Sequence, residues 1–192
     1  MRLFVGLSLP EDIADALAAL EVPLQGANWV EAQDFHISLR WVGDVEKSLA
    51  YELDDALLRI ELPAFELKFA GVSFFGGYDP KALMAPVVAS AELAELQRAV
   101  DRAAHSVGIE PDKRGKFRPH VTLARLKSPD LDRFARYLER HALFQTEPFL
   151  VTRFSMFSTR PQLGGGPYLV EQTYDLKHYG DYDDETGDRA DV

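Results

Sequence analysis

Apolar and polar residues alternate with period two in several short stretches of this chain and recur with a period near 3.6 in others. Residues 2–9, Arg2-Leu3-Phe4-Val5-Gly6-Leu7-Ser8-Leu9, read as a first strand. Pro10 then starts a helix with Ile13, Ala16, Leu17 and Leu20 on one face. A second strand covers about 35–42. Ser48 is placed to cap a helix whose inner face is Leu49, Leu53, Ala56, Leu57 and Ile60. Residues 64–75 alternate as a long strand, with Phe65, Leu67 and Phe69 on one side. The same order follows again. A strand at 83–89 contains Pro86, which marks it as an edge or irregular strand. A helix built on Leu93, Leu96, Val100 and Val107 ends at Gly108. A strand at 117–126, a helix near 130–142 with Leu131, Phe134 and Leu138, and a strand at 148–158 complete the second unit. Gly164 to Pro167 reads as a loop before a final strand, Tyr168–Leu176.

Each half therefore runs strand, helix, strand, helix, long strand. Phe65 and Phe149 hold matching places, as do Asp55 and Glu139. A repeat of this length means two copies of one supersecondary unit, about 1–80 and 81–178, not a short-period solenoid. Strands and helices do not alternate singly, which argues against a doubly wound parallel sheet. The expected fold is α+β: a duplicated, two-lobed domain over 1–180, with two mainly antiparallel sheets and outer helices around a central cleft.

The second strand of each half carries the chemistry. One begins His36-Ile37-Ser38-Leu39, the other His120-Val121-Thr122-Leu123. Period two puts His36 with Ser38, and His120 with Thr122, on one face, and turns the apolar residues to the core. Equivalent strands of a pseudo-twofold would bring both histidines to one cleft. Two imidazoles and two hydroxyls can hold a phosphate and move protons around it. Arg40 and Arg118 share the parity of their histidines. Arg125 has the opposite parity unless a bulge re-aims it. His105, His141 and His178 lie outside the motifs.

Composition narrows the partners. The chain has no cysteine, so disulfides, thiolate metal sites and cysteine nucleophiles are excluded. Half of the net charge of −10 sits in residues 181–192, where six carboxylates face the single Arg189. That tail has almost no apolar residue and reads as disordered. The rest is still acidic, so nucleic-acid contact must be local. Lys113-Arg114-Gly115-Lys116-Phe117-Arg118 is the densest basic run and leads straight into the second histidine. Phe4, Trp29, Trp41 and Tyr168 are candidates to stack a base. No apolar run approaches the roughly 20 residues of a membrane span, and the short apolar N-terminus meets Glu11 and Asp12 at once. A cytoplasmic monomer is expected.

The two His-x-Ser/Thr motifs, together with Met1-Arg2-Leu3-Phe4-Val5, Phe35–Gly43, Phe117–Arg125 and the Ser158…Tyr168 region, resemble the 2H phosphoesterases. Within them the chain is most similar to the RNA 2′,3′-cyclic phosphodiesterases, also called 2′-5′ RNA ligases. Ser38 stands where that family usually has threonine. The resemblance implies opening of RNA ends bearing a 2′,3′-cyclic phosphate, such as those of tRNA fragments, to a 2′-phosphomonoester, with 2′-5′ ligation as the reverse reaction. It implies His36 as proton donor, His120 as proton acceptor, phosphate contacts from Ser38, Thr122, Arg125 and Arg118, and no metal or cofactor. Two alternatives stay open: turnover of small cyclic nucleotides such as ADP-ribose 1″,2″-cyclic phosphate, or RNA-end binding without turnover. No His-Glu-x-x-His metal motif and no Gly-x-Ser-x-Gly elbow is present.

Overall fold

Alternation in the first segment turns Leu3, Val5 and Leu7 to one face, and all three are buried. The computed structural model describes residues 1–112, 115–159 and 168–177. The loop at Gly164–Pro167, His178 and the acidic tail lie outside them, as do Lys113 and Arg114 of the basic run. In chain order the elements are β1 (Arg2–Ser8), α1 (Glu11–Ala18), β2 (Ala27–Trp29), a 3₁₀ turn (Ala32–Asp34), β3 (His36–Asp44), α2 (Lys47–Leu57), β4 (Phe65–Leu67), β5 (Ser73–Phe75), β6 (Ala82–Pro86), α3 (Ala91–Ser106), β7 (His120–Leu126), α4 (Leu131–Arg140), β8 (Phe149–Val151), β9 (Arg153–Thr159) and β10 (Tyr168–Asp175).

Two antiparallel sheets form, in the orders β10-β9-β1-β3 and β2-β7-β6-β5. A two-stranded ribbon, β4-β8, joins the halves. The fold is the expected α+β class, and the ribbon displays its symmetry. Glu66 pairs with Leu150, its own equivalent in the second half, and Phe65↔Val151 and Leu67↔Phe149 flank that pair. An antiparallel pair of equivalent residues puts a local twofold between them. The buried faces of β1, β3 and β7 meet Leu53 and Leu57 of α2 and Leu93, Leu96 and Val100 of α3. α2 packs on α3, and α3 on β3. Ser90 caps α3 by accepting from the Leu93 amide at 3.1 Å, and Gly108 leaves it at φ +85°.

Three local expectations are corrected, and a fourth, at Pro86, holds in one of its two forms. Ser48 caps nothing: α2 starts at Lys47, flanked by Glu46 without a side-chain cap. The strand expected over 64–75 breaks at Gly71, whose φ is +72°, into β4 and β5 joined by isolated bridges at Phe69 and Ala70. The strand over 148–158 breaks at Thr152, because β8 belongs to the ribbon and β9 to a sheet. Pro86 does not lie on an edge strand; β6 is internal. The proline sits at its last residue, opposite His120, where its missing N–H costs the ladder little. The strand is nonetheless irregular, with a register shift between Leu83 and Met84.

Candidate active site

The decisive local feature is a bulge that occurs twice. Along β1 and β3, Gly6 pairs with Ser38 and Val5 with Arg40, so Leu39 has no partner. Along β6 and β7, Met84 pairs with Thr122 and Leu83 with Ala124, so Leu123 has no partner. A bulged residue shifts strand parity by one. Leu39 and Arg40 both turn inward, and Leu123 and Ala124 do likewise; all four are buried. Beyond each bulge the cleft face is taken by Trp41 in β3 and by Arg125 in β7, two equivalent positions with different chemistry. Arg125 is thus re-aimed to the side of His120. Arg40 is the correction: equal parity with His36 would hold only in a regular strand, and it points away from the cleft into the protein.

Both histidines are held in the same way. His36 Nδ1–H donates to the Asp34 carbonyl at 2.8 Å. His120 Nδ1–H donates to the Arg118 carbonyl at 2.6 Å. A contact to the carbonyl two residues back fixes each ring's tautomer, with the proton on Nδ1 of the neutral imidazole. The ring of Tyr168 stands edge-on to His36 with centroids 4.6 Å apart, and Phe4 lies behind it at 4.8 Å. Phe75 stands against His120 at 4.9 Å. Burial lowers the His36 pKa below the ordinary histidine value, and the nearby His120 pushes the same way; the Asp34 carbonyl and carboxylate oppose both. His36 therefore feels the charge of His120.

Ser38 and His120, from different sheets, line one cavity of about 620 Å³ with Phe75, Phe117, Arg118 and Lys116. Among the described residues, neither the Ser38 nor the Thr122 hydroxyl makes a hydrogen bond within the protein. Arg125 is exposed and close enough to Tyr168 to oppose the rise that burial causes in the phenol pKa. Of the aromatic candidates, Phe4 is buried beneath the site. Trp29 is structural: its Nε1 donates to the Val22 carbonyl at 3.1 Å and its ring meets Tyr137. Trp41 and Tyr168 remain half-exposed on the cleft face. His105 and His141 stand apart on α3 and after α4; His141 bonds the Tyr137 carbonyl at 2.9 Å.

Two neighbours of the site were not expected. Phe75 is the counterpart of Phe157, which lies 6.4 Å from the His36 ring. The shared signal is Ser-x-Phe, Ser73-Phe74-Phe75 and Ser155-Met156-Phe157. Asn28, on the three-residue β2, lies opposite Arg125, and nothing in its own segment signals it. Among the described residues, no three potential metal ligands come together, and no helix is long and apolar enough to cross a membrane.

Comparison with known proteins bears on the family and the fold. The model of the 2′-5′ RNA ligase superfamily matches residues 9–162. The chain belongs to that superfamily. Among relatives of this 2′-5′ RNA ligase superfamily member, a protein of Aquifex aeolicus is 28% identical over 92% of this chain and 97% of its own length. One from Bacillus subtilis is 31% identical over 64% of this chain and 69% of its own. One from Aeropyrum pernix is 35% identical over 60% of this chain and 64% of its own. All three are named RNA 2′,3′-cyclic phosphodiesterase. In fold, the chain is similar to TT0787 of Thermus thermophilus, with a TM-score of 0.76 at 22% identity over 93% of this chain and 100% of the other. It is also similar to Escherichia coli LigT complexed with 3′-AMP, with a TM-score of 0.74 at 20% identity over 91% and 97%.

Proposed function

We propose that this protein opens RNA 2′,3′-cyclic phosphate ends, tRNA fragments among them, to 2′-phosphomonoesters by two-histidine acid–base catalysis. The observation that carries the reading is the matched pair of Nδ1–H to carbonyl bonds, at 2.8 Å on His36 and 2.6 Å on His120. With Nδ1 committed, a neutral ring offers the Nε2 lone pair and a protonated ring offers Nε2–H, so either histidine can act as base or acid. Following the family resemblance, His120 Nε2 takes a proton from water as the water oxygen bonds to phosphorus. The bond from phosphorus to O3′ breaks, and His36 Nε2–H protonates the leaving oxygen. A 2′-phosphate and a 3′-hydroxyl result, and the two rings have exchanged proton states. Run in the same direction with a 5′-hydroxyl in place of water, the same groups form a 2′-5′ link: His120 Nε2 takes the 5′-hydroxyl proton, the 5′-oxygen bonds to phosphorus, and His36 Nε2–H protonates O3′ as it leaves. Desolvation alone favours neutral His36; a bound anionic phosphate favours the imidazolium and restores its proton.

The free hydroxyls of Ser38 and Thr122 and the cation of Arg125 are suited to the non-bridging oxygens as their charge grows. Arg118 adds a second cation at the rim. Tyr168 and Trp41 offer faces for the terminal base. All of these groups come from one chain, so a monomer suffices.

The test is hydrolysis of a short RNA ending in 2′,3′-cyclic phosphate, in excess chelator, by wild type, His36→Ala and His120→Ala. The expected result is opening to the 2′-phosphate, reduced roughly 10²–10⁴-fold in each variant, with RNA binding retained. No opening by the folded wild type would overturn the RNA-end reading. Equal turnover of a mononucleotide cyclic phosphate would move the substrate to small molecules.

A further inference from the structure

Arg40 takes no part in that chemistry, yet its side chain is only 1% exposed. Placed beyond the Leu39 bulge, it reaches under the cleft toward the segment that leads into β7. Its Nη2 donates to the Glu110 carbonyl. Its Nε lies 3.3 Å from Asp101 Oδ1 on α3, and its Nη1 lies 3.9 Å from Asp112 Oδ2. Neither Nε nor Nη1 makes a well-directed hydrogen bond, so charge rather than direction holds them. A buried ion pair seldom stabilises more than well-packed apolar residues would. An apolar side chain, however, could not grip both a backbone carbonyl and a carboxylate of that segment.

Among the described residues, the backbone hydrogen bonds that fix the segment lie at its ends, Ile109 N–H to the Ala104 carbonyl and Val87 N–H to the Pro119 carbonyl, each 3.0 Å. Between them, Gly115, Lys116, Phe117 and Arg118 line the cavity that holds Ser38 and His120. Asp101 and Asp112 line the same cavity, and the guanidinium beneath offsets their charge. We propose that Arg40 is a positioning residue: it anchors the segment at Glu110 and Asp112, and so sets where Arg118 meets an anionic substrate.

This rests on the phosphodiesterase reading, so the test has one arm that needs no substrate. In Arg40→Met and Asp112→Asn, hydrogen exchange of the Gly115–Arg118 amides should quicken. With the cyclic-phosphate RNA, KM should rise roughly tenfold, as for loss of one charge-assisted contact, while kcat changes little. The salt slope of log KM should fall by about 0.7, one phosphate contact on a single strand, and Arg118→Ala added to either variant should lower it no further. Arg40→Lys should recover part of the KM, since an ammonium keeps the charge but not the fork. Folded variants with wild-type exchange, KM and salt slope would overturn the proposal. If Arg40→Met does not fold, Asp112→Asn decides, because its carboxylate is partly solvated. Faster exchange in variants of a wild type that does not open the RNA would support the anchor and sink the substrate reading.

Discussion

Gly6→Ala tests the geometry without touching a proposed chemical group. Gly6 faces Ser38 across the β1–β3 ladder. A methyl at this position would lie 2.7 Å from the Ile37 carbonyl oxygen, a backbone atom between His36 and Ser38. Its φ is ordinary for an L residue, so the perturbation is purely steric. Ordinary contact needs roughly 0.5 Å or more of retreat, and the obstacle cannot rotate away because it is main chain. Overpacking of this kind costs about 1–3 kcal/mol, which in a chain of this size lowers Tm by roughly 2–4 °C per kcal/mol. The larger effect falls on rate. Moving His36 and Ser38 together by half an ångström relative to His120 should lower kcat about tenfold, given that about 1 Å of misplacement can cost 10²-fold. Calorimetry and single-turnover kinetics on one preparation read both quantities. A folded Gly6→Ala protein with wild-type kcat would refute the claim that the spacing of the two histidine strands controls the reaction.

Two further outcomes follow from the site. Because burial lowers the His36 pKa, the unfolded chain binds that proton first as pH falls; stability should decline as pH drops through about 6.5, the unfolded value. Denaturant melts should show this decline in wild type and less of it in His36→Gln, and identical pH profiles would refute the desolvated state. Arg125→Ala should lower kcat/KM roughly 10–10²-fold, the scale of a hydrogen bond to a charged group. Arg125→Lys should recover only part if the guanidinium grips two oxygens, and full recovery would show that a point charge is enough.

The histidine–hydroxyl pairs were legible because they precede the bulges, where period two still holds. The facing of Arg40 and Arg125 was not, because parity inverts at Leu39 and Leu123, ordinary core residues whose identity carries no bulge signal; Arg118 precedes its bulge and lines the cavity with His120 as its parity implied. Register there is set by the partner strands, which local periodicity does not see. The same blindness hid β2, whose three residues are too few to show a period, and with it Asn28 opposite Arg125. The repeat was legible at the histidines and at Phe65 and Phe149. Its offset is not constant, since Ser8 and Pro86 are the equivalent partners of His36 and His120. Ser48 failed as a cap because it falls one residue inside the helix.

The sheets do not divide along the repeat. β9 and β10 of the second half complete the sheet of β1 and β3, while β2 and β5 of the first half complete the sheet of β6 and β7. Neither half owns a finished sheet, so neither has a native state to reach alone. The lobes are woven rather than hinged, and a chain cut between β5 and β6 should yield two fragments that acquire order only in each other's presence.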